Sequence, residues 1–227
     1  MDKPIVVFSP HPDDETLGCG GTIAKKLSEN YQVYIVLLTD GRHAFSNCLD
    51  LNSDITPDAI VKIRKKEVID ATTVLGVPVE NLVFLDFEDR MLKEHETVAE
   101  QKITEILKKH SPVEVYFPFM RDSHPDHRAA NRIIRRCLQN LKLTSIRYQY
   151  SVMHRFLNFG PRIERLIDVY KDCIADVDIS EYLSLKKKAV KQFTSELSVV
   201  LNNSKKPVVE NVDRYFKNTE RFYIDKS

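Results

Sequence analysis

At 227 residues, 42% of them hydrophobic, the chain can bury one sizeable core and is expected to form one domain rather than two. Its 34 basic and 33 acidic residues nearly cancel to a formal charge of +1, which argues against a nucleic-acid binder or a membrane-surface protein and leaves partners to be argued from sites. Four widely spaced cysteines, Cys19, Cys48, Cys137 and Cys173, a start without signal-peptide character and the lack of any run of about 18 apolar residues fit a cytoplasmic protein with reduced thiols and no membrane insertion.

Along the chain, short β-branched and aromatic runs alternate with segments of helical period. Strands are expected at Ile5–Phe8, Val33–Leu38, Leu82–Leu85, Val113–Phe117 and Ile146–Val152, and helices at Leu17–Glu29, Pro57–Leu75, Val98–His110 and Asp126–Leu141. Gly76 and Pro78 suit the end of the second helix, because glycine accepts a left-handed cap and proline cannot continue the helix. The alternation implies an α/β, Rossmann-like three-layer fold with a mainly parallel sheet and an active site at the C-terminal ends of its strands. Past residue 155 it weakens. Ile179–Leu197 still reads as a helix, with Ser180 placed to cap it and Lys186, Lys187, Lys188 and Lys191 on a solvated face. LNNSKKP at residues 201–207 reads as a loop into a C-terminal extension that packs on the same core, so the single expected domain runs from 1 to 227.

Two charged turns stand where such a fold carries its chemistry. The first, SPHPDDETLGCGG at residues 9–21, follows the first strand. His11 and Asp14 are three residues apart, so one tight turn can aim an imidazole and a carboxylate at a common point, while Asp13 faces differently. A plainer reading is that Asp13, Asp14 and Glu15 favour the positive end of the following helix, worth about 0.3–1 kcal/mol per charge. Gly18, Gly20 and Gly21 raise a third reading, a nucleotide cradle, but their spacing is not G-x-G-x-x-G and the acidic residues would repel a pyrophosphate.

The second turn, RDSHPDHRAA at residues 121–130, repeats the arrangement after the strand VEVYF and places His124 and His127 at the head of a helix. A lone histidine there is usually a cap or a surface residue; HPDD and HPDH in one chain are harder to credit to capping. If His11, Asp14 and His127 converge, they form a two-histidine, one-carboxylate set that suits zinc with an open position for water, and iron(II) can use the same ligands.

The pair SPHPDDE and HPDH resembles the signature of the PIG-L, or LmbE-like, zinc N-deacetylase family. The likeness extends to TDG at Thr39–Gly41, to R-x-x-E at Arg64 and Glu67 before LGV, to FLDFED at Phe84–Asp89 and to VDIS at Val177–Ser180, and so covers most of the chain. It implies His11, Asp14 and His127 as zinc ligands and Asp13 as general base. It further implies that His124 stabilises the oxyanion or helps to protonate the leaving amine. Arg64 is similar to a position that holds the substrate; on charge patterning alone it is a surface arginine among Lys62, Lys65 and Lys66. Asp126 is placed either to support a ligating imidazole or to cap the helix.

The resemblance implies a metal-dependent hydrolase that takes the acetyl group from an N-acetylglucosamine-type conjugate. An amidase acting on another amide, such as a thiol conjugate, shares the chemistry. A metal- or nucleotide-binding module without hydrolysis is the reading from another class, and it has no use for an unligated Asp13. The expected partner is a small amino-sugar conjugate; a homo-oligomer is compatible with the sequence but not defined by it. Two departures from the family pattern, Gln149 within RYQYSV and TSEL near residue 195, are expected to bear on substrate contacts or subunit packing more than on the reaction.

Overall fold

A computed structural model describes residues 3–45, 55–152, 173–197, 207–209 and 211–226. Cys48 and residues 201–206 of the expected loop lie outside this set. The strands are β1 (Pro4–Ser9), β2 (Gln32–Thr39), β3 (Leu82–Phe87), β4 (Glu114–Pro118), β5 (Ile146–Tyr150), β6 (Ile174–Asp178) and β7 (Thr219–Ile224). The helices are α1 (Asp14–Ser28), α2 (Pro57–Leu75), α3 (Glu96–His110), α4 (Pro125–Asn140), α5 (Leu183–Val190) and α6 (Thr194–Leu197). All strands share one sheet in the order β3-β2-β1-β4-β5-β7-β6, parallel through β5 and antiparallel at β5–β7 and β7–β6.

Because successive strand residues face opposite sides, β1 feeds two cores. Ile5 and Val7 pack with Leu17 and Ile23 of α1, Val68 and Leu75 of α2, and Ala189 and Val190 of α5. Val6 and Phe8 pack with Ile103 of α3 and Ile133 of α4. The result is the three-layer α/β arrangement. Helix α2 ends as the glycine predicts, with Gly76 at φ 94° taking a left-handed cap that a side chain would resist. The chain leaves β1 toward β2 on one side and returns to β4 on the other. The crevice between the C-terminal ends of β1 and β4 is therefore the switch point where open α/β sheets bind ligands.

The C-terminal third differs from expectation in three ways. β6 and β7 were not anticipated. The helix expected at Ile179–Leu197 is broken: Ser180–Tyr182 is a 3-10 turn and the chain turns again at 191–193 between α5 and α6. At the start, Asp178 Oδ1 accepts from Ser180 N and Oγ, so Asp178 rather than Ser180 caps the turn. At the second break, the Glu67 carboxylate accepts from Ser195 N, Ser195 Oγ and Thr194 Oγ1 and draws the chain off the helix path. Lys186 does not lie on the solvated face: it is buried, donating to Leu17 O and to Glu220 Oε1 of β7.

Candidate active site

Ser9 ends β1, and Asp14 N donates to His11 O at 3.3 Å to close the first turn. Asp14 Oδ2 in turn accepts from the backbone His11 N at 3.0 Å, which fixes the carboxylate against the turn. Asp13 occupies the N-cap position of α1 but makes no side-chain capping bond. The first N–H groups of the helix go instead to His11 O, Ser9 Oγ and Asp13 O, and the buried Glu15 Oε2 accepts from Ser9 Oγ at 2.8 Å and from Asp13 N at 3.2 Å. Asp13 holds φ 153° and ψ −30°, a conformation that costs a non-glycine residue about 1–3 kcal/mol and collects at functional sites. Its carboxylate is thus not spent on the helix. Gly18, Gly20 and Gly21 lie within α1, closely packed on Tyr150, Lys186 and Ile179, and form no cradle.

The second turn follows Pro118, the end of β4. His124 is the N-cap of α4, and its Nδ1 accepts from Asp126 N at 3.2 Å. That bond assigns the proton of the neutral ring to Nε2. Burial, with His11 and His127 nearby, pushes His124 down to about 4, so at neutral pH the ring is an uncharged donor. His127 lies one turn further in, with Asp122 Oδ2 3.1 Å from its Nδ1. Asp126 is fully buried; it accepts from Arg90 N at 2.6 Å and Leu92 N at 3.2 Å, and its Oδ2 is 3.2 Å from His11 Nε2. Asp89 Oδ1 stands equally near that nitrogen at 3.2 Å.

These contacts bring three donor atoms together. His11 Nδ1 to Asp14 Oδ2 is 3.1 Å, His127 Nε2 to Asp14 Oδ2 is 3.0 Å, and His127 Nε2 to His11 Nδ1 is 3.2 Å. A tetrahedral ion with bonds of about 2.0–2.1 Å has donor–donor edges of roughly 3.3 Å. Each imidazole turns its other nitrogen to a carboxylate, which fixes its orientation and raises its basicity as metal-ligating histidines require. The residues therefore fit a divalent cation. His124 adds a third imidazole nitrogen within 4.8 Å of those of His11 and His127. The charges are arranged to match. Burial works against the Asp14 carboxylate, yet His127 and His11 hold it far below the usual range. Burial lowers His127, but Asp14 and Asp122 together raise it to about 9. Asp13 goes the other way, pushed well up by burial and by Glu196 and Asp14, with Arg64 only partly offsetting them.

The site opens into a cavity of about 370 Å³ lined by Asp13, His124, Arg90, Val209, Arg214 and Tyr215 among others. Arg64 also borders it but is only 1% exposed. It ion-pairs with Glu196, donates from Nη2 to Pro12 O and keeps that nitrogen 3.6 Å from Asp13 Oδ1. The surface arginine expected from charge patterning is therefore a buried one.

The sequence profile described as "PIG-L: GlcNAc-PI de-N-acetylase" matches residues 6–138, which include both turns. The chain belongs to the PIG-L family. A "Probable N-acetyl-alpha-D-glucosaminyl L-malate deacetylase 2" of Bacillus cereus is 30% identical over 144 residues, 62% of this chain and 63% of that protein. A "Diacetylchitobiose deacetylase" of Thermococcus kodakarensis is 30% identical over 131 residues, 56% of this chain and 46% of its own length. The chain thus spans less than two thirds of either relative. Among solved structures, N,N'-diacetylchitobiose deacetylase from Pyrococcus horikoshii matches with a TM-score of 0.72 at 23% identity over 98% of this chain and 84% of that one, a likeness of fold.

Of the two departures within this PIG-L chain, Gln149 is buried, and TSEL buries Ser195 and Glu196, with Glu196 bordering the cavity. Gln149 Oε1 accepts from Met120 N and Asn131 Nδ2, both at 2.9 Å, and ties the loop before HPDH to α4. TSEL is α6, and its Glu196 faces Arg64 and Asp13. Asp122, Asp89 and Glu196 are the site residues that sequence reasoning did not assign. The first two sit inside motifs already singled out, and Glu196 lies in TSEL, singled out as a departure from the family pattern.

Proposed function

We propose that this protein is a metal-dependent hydrolase that removes the N-acetyl group from an N-acetylglucosamine-type conjugate, releasing acetate and a free amine, with residues 1–227 acting as one deacetylase domain. The observation that carries this reading is the convergence of His11 Nδ1, Asp14 Oδ2 and His127 Nε2 within 3.2 Å beside an Asp13 that does not cap its helix. His11, Asp14 and His127 would hold the ion, zinc as the first choice with iron(II) able to use the same donors. When bound, such an ion acidifies a water ligand and polarises a carbonyl oxygen. Asp13, its basicity raised by its surroundings, takes the proton from the attacking water and returns it to the amine nitrogen as the C–N bond breaks. His124 donates from Nε2 to the carbonyl oxygen as negative charge develops there. Since its Nδ1 already accepts a backbone N–H, we assign it to the oxyanion rather than to protonation of the amine. Asp126 and Asp122 orient the two imidazoles.

At the cavity mouth, Arg90 and Arg214 are exposed and, among the described residues, have no carboxylate partner. An aglycone carrying a carboxylate or phosphate suits them. Among the described residues no helix is long and apolar enough to cross a membrane, and the free thiols Cys19, Cys137 and Cys173 support a reducing, cytoplasmic setting. The test is release of free amine from a panel of N-acetylglucosamine conjugates, neutral and anionic, by metal-loaded protein. Cleavage restricted to another amide, such as a thiol conjugate, would keep the chemistry and change the substrate. A metal-loaded protein inert toward every amide overturns the reading.

A further inference from the structure

Arg64 and Glu196 are both almost fully buried, 1% and 2% exposed, at the cavity wall. A buried guanidinium needs its charge matched, the more so here because Nε has no hydrogen-bond partner among the described residues. Glu196 supplies the match at Nη1, while Nη2 reaches the Pro12 carbonyl and stands beside the Asp13 carboxylate. Gly41 makes room for this. At φ +68° it suits glycine, and an added Cβ would come within 3.1 Å of both Arg64 Nε and Pro12 Cδ. Glu196 is itself held from the far side. One turn after Arg64 on α2, Glu67 accepts from Ser195 N at 2.7 Å, Ser195 Oγ at 2.6 Å and Thr194 Oγ1 at 3.0 Å. Arg64 and Glu67 of α2 thus grip Glu196 and Ser195 of α6 in a reciprocal clamp.

We infer that Glu196 and Arg64 are a positioning pair for Asp13: Glu196 directs the guanidinium onto the Pro12–Asp13 turn, so that Arg64 serves the base and not the substrate. The inference rests on the deacetylase reading for its kinetic consequence. The turn needs such support, because Asp13 sits at φ 153° and ψ −30° with no capping bond of its own. A fork that binds Pro12 O and flanks the Asp13 carboxylate fixes both backbone and side chain of the base. A guanidinium already neutralised by a buried carboxylate offers little to an anionic ligand.

The experiment compares Glu196→Ala, Glu196→Gln and Arg64→Lys with the wild type, each loaded with zinc and assayed for kcat, KM, metal content and Tm. Glu196→Ala is expected to lower kcat at least about tenfold, as loss of catalytic-group alignment does, with KM and metal content within about twofold. Glu196→Gln, whose amide oxygen still accepts from the guanidinium but does not match its charge, is expected to recover kcat in part, to a value between Glu196→Ala and the wild type. Arg64→Lys, which keeps the charge and loses the fork, should resemble Glu196→Ala. Unchanged kcat in metal-loaded Glu196→Ala overturns the inference, as does a rise in KM at constant kcat, which would give the pair to the substrate. A crystal structure of Glu196→Ala decides the matter without turnover: the Asp13 carboxylate should move, and an unmoved Asp13 overturns the inference. A wild type inert toward every amide would instead strike the deacetylase reading, leaving the crystallographic comparison to judge the positioning pair.

Discussion

The turns after β1 and β4 read almost alike, HPDD and HPDH, yet they meet their helices in different frames. In the first, the aspartate in third place is the N-cap and the fourth residue, Asp14, begins α1. In the second, the histidine in first place is the N-cap and the fourth residue, His127, lies a turn inside α4. The fourth residue faces the metal position in both turns. The other places exchange roles: His11 turns toward that position while His124 caps, and Asp13 stays free of its helix while Asp126 is consumed by Arg90 N, Leu92 N and His11. In the proposed deacetylase, this shift of frame would make one motif a ligand pair with a base and the other a ligand with a donor.

The largest effect should come from breaking what the two turns share. Asp14 Oδ2 lies within 3.1 Å of both His11 Nδ1 and His127 Nε2, so Asp14→Ala removes the carboxylate from the middle of the set. It is expected to lose most of its metal and to fall to background activity, measured by metal analysis and amine release on one sample. Retention of metal would remove Asp14 from the ligand set. Asp13→Asn probes the place where the turns differ most. Shape is kept and basicity lost, so metal and KM should hold while kcat drops by about 10² to 10⁴-fold. Unchanged turnover in the metal-loaded variant sinks the assignment of the base.

His124 caps α4 through Nδ1, and variants can separate that bond from the donor role proposed for Nε2. His124→Ala should lose the cap to Asp126 N, worth about 1 kcal/mol, and lower kcat by about 10² to 10³-fold with metal near normal. His124→Asn can restore the cap, because a short carbonyl oxygen suits an N-cap, and should recover Tm but not kcat. Recovery of both would assign His124 to helix stability alone.

What the sequence made legible is what is local. Strands β1 to β5, helices α1 to α4 and the two turns each announce themselves through periodicity and spacing within a few residues. What it hid depends on partners far along the chain. Lys186 looks like one of a lysine run until Glu220, 34 residues later, is brought beside it by β7. Glu67 and Ser195 are 128 residues apart, and Glu196 becomes a site residue only through that anchoring. The pairing of β6 and β7 with each other and of β7 with β5 is antiparallel, outside the βαβ rhythm that revealed the rest. TERFYI buries Glu220 and Phe222 on one face, but its three polar residues precede its three apolar ones, so no period-two pattern marks it.

The smallest net effect is also the most specific to the second turn. In the metal-free protein burial lowers His127, but Asp14 and Asp122 outweigh it and push the ring up to about 9. A proton must therefore leave His127 before it can ligate, and His11, raised by Asp126, Asp14 and Asp89 against burial, adds a second competing proton. Metal affinity should therefore weaken as pH falls below about 9, by roughly tenfold per pH unit for each proton displaced. Asp122→Asn changes both terms. It removes the carboxylate that orients the ring, costing about 10- to 100-fold in affinity where neither ring is protonated. It also lets the His127 value fall, so protons compete less at neutral pH and the deficit narrows there. Chelator competition across pH 6 to about 10 measures both terms, and the expected signature is a shallower pH slope in Asp122→Asn that approaches the wild-type line at the acid end. A parallel line would mean that Asp122 does not control the His127 proton, and the geometric pairing at 3.1 Å would then carry orientation alone.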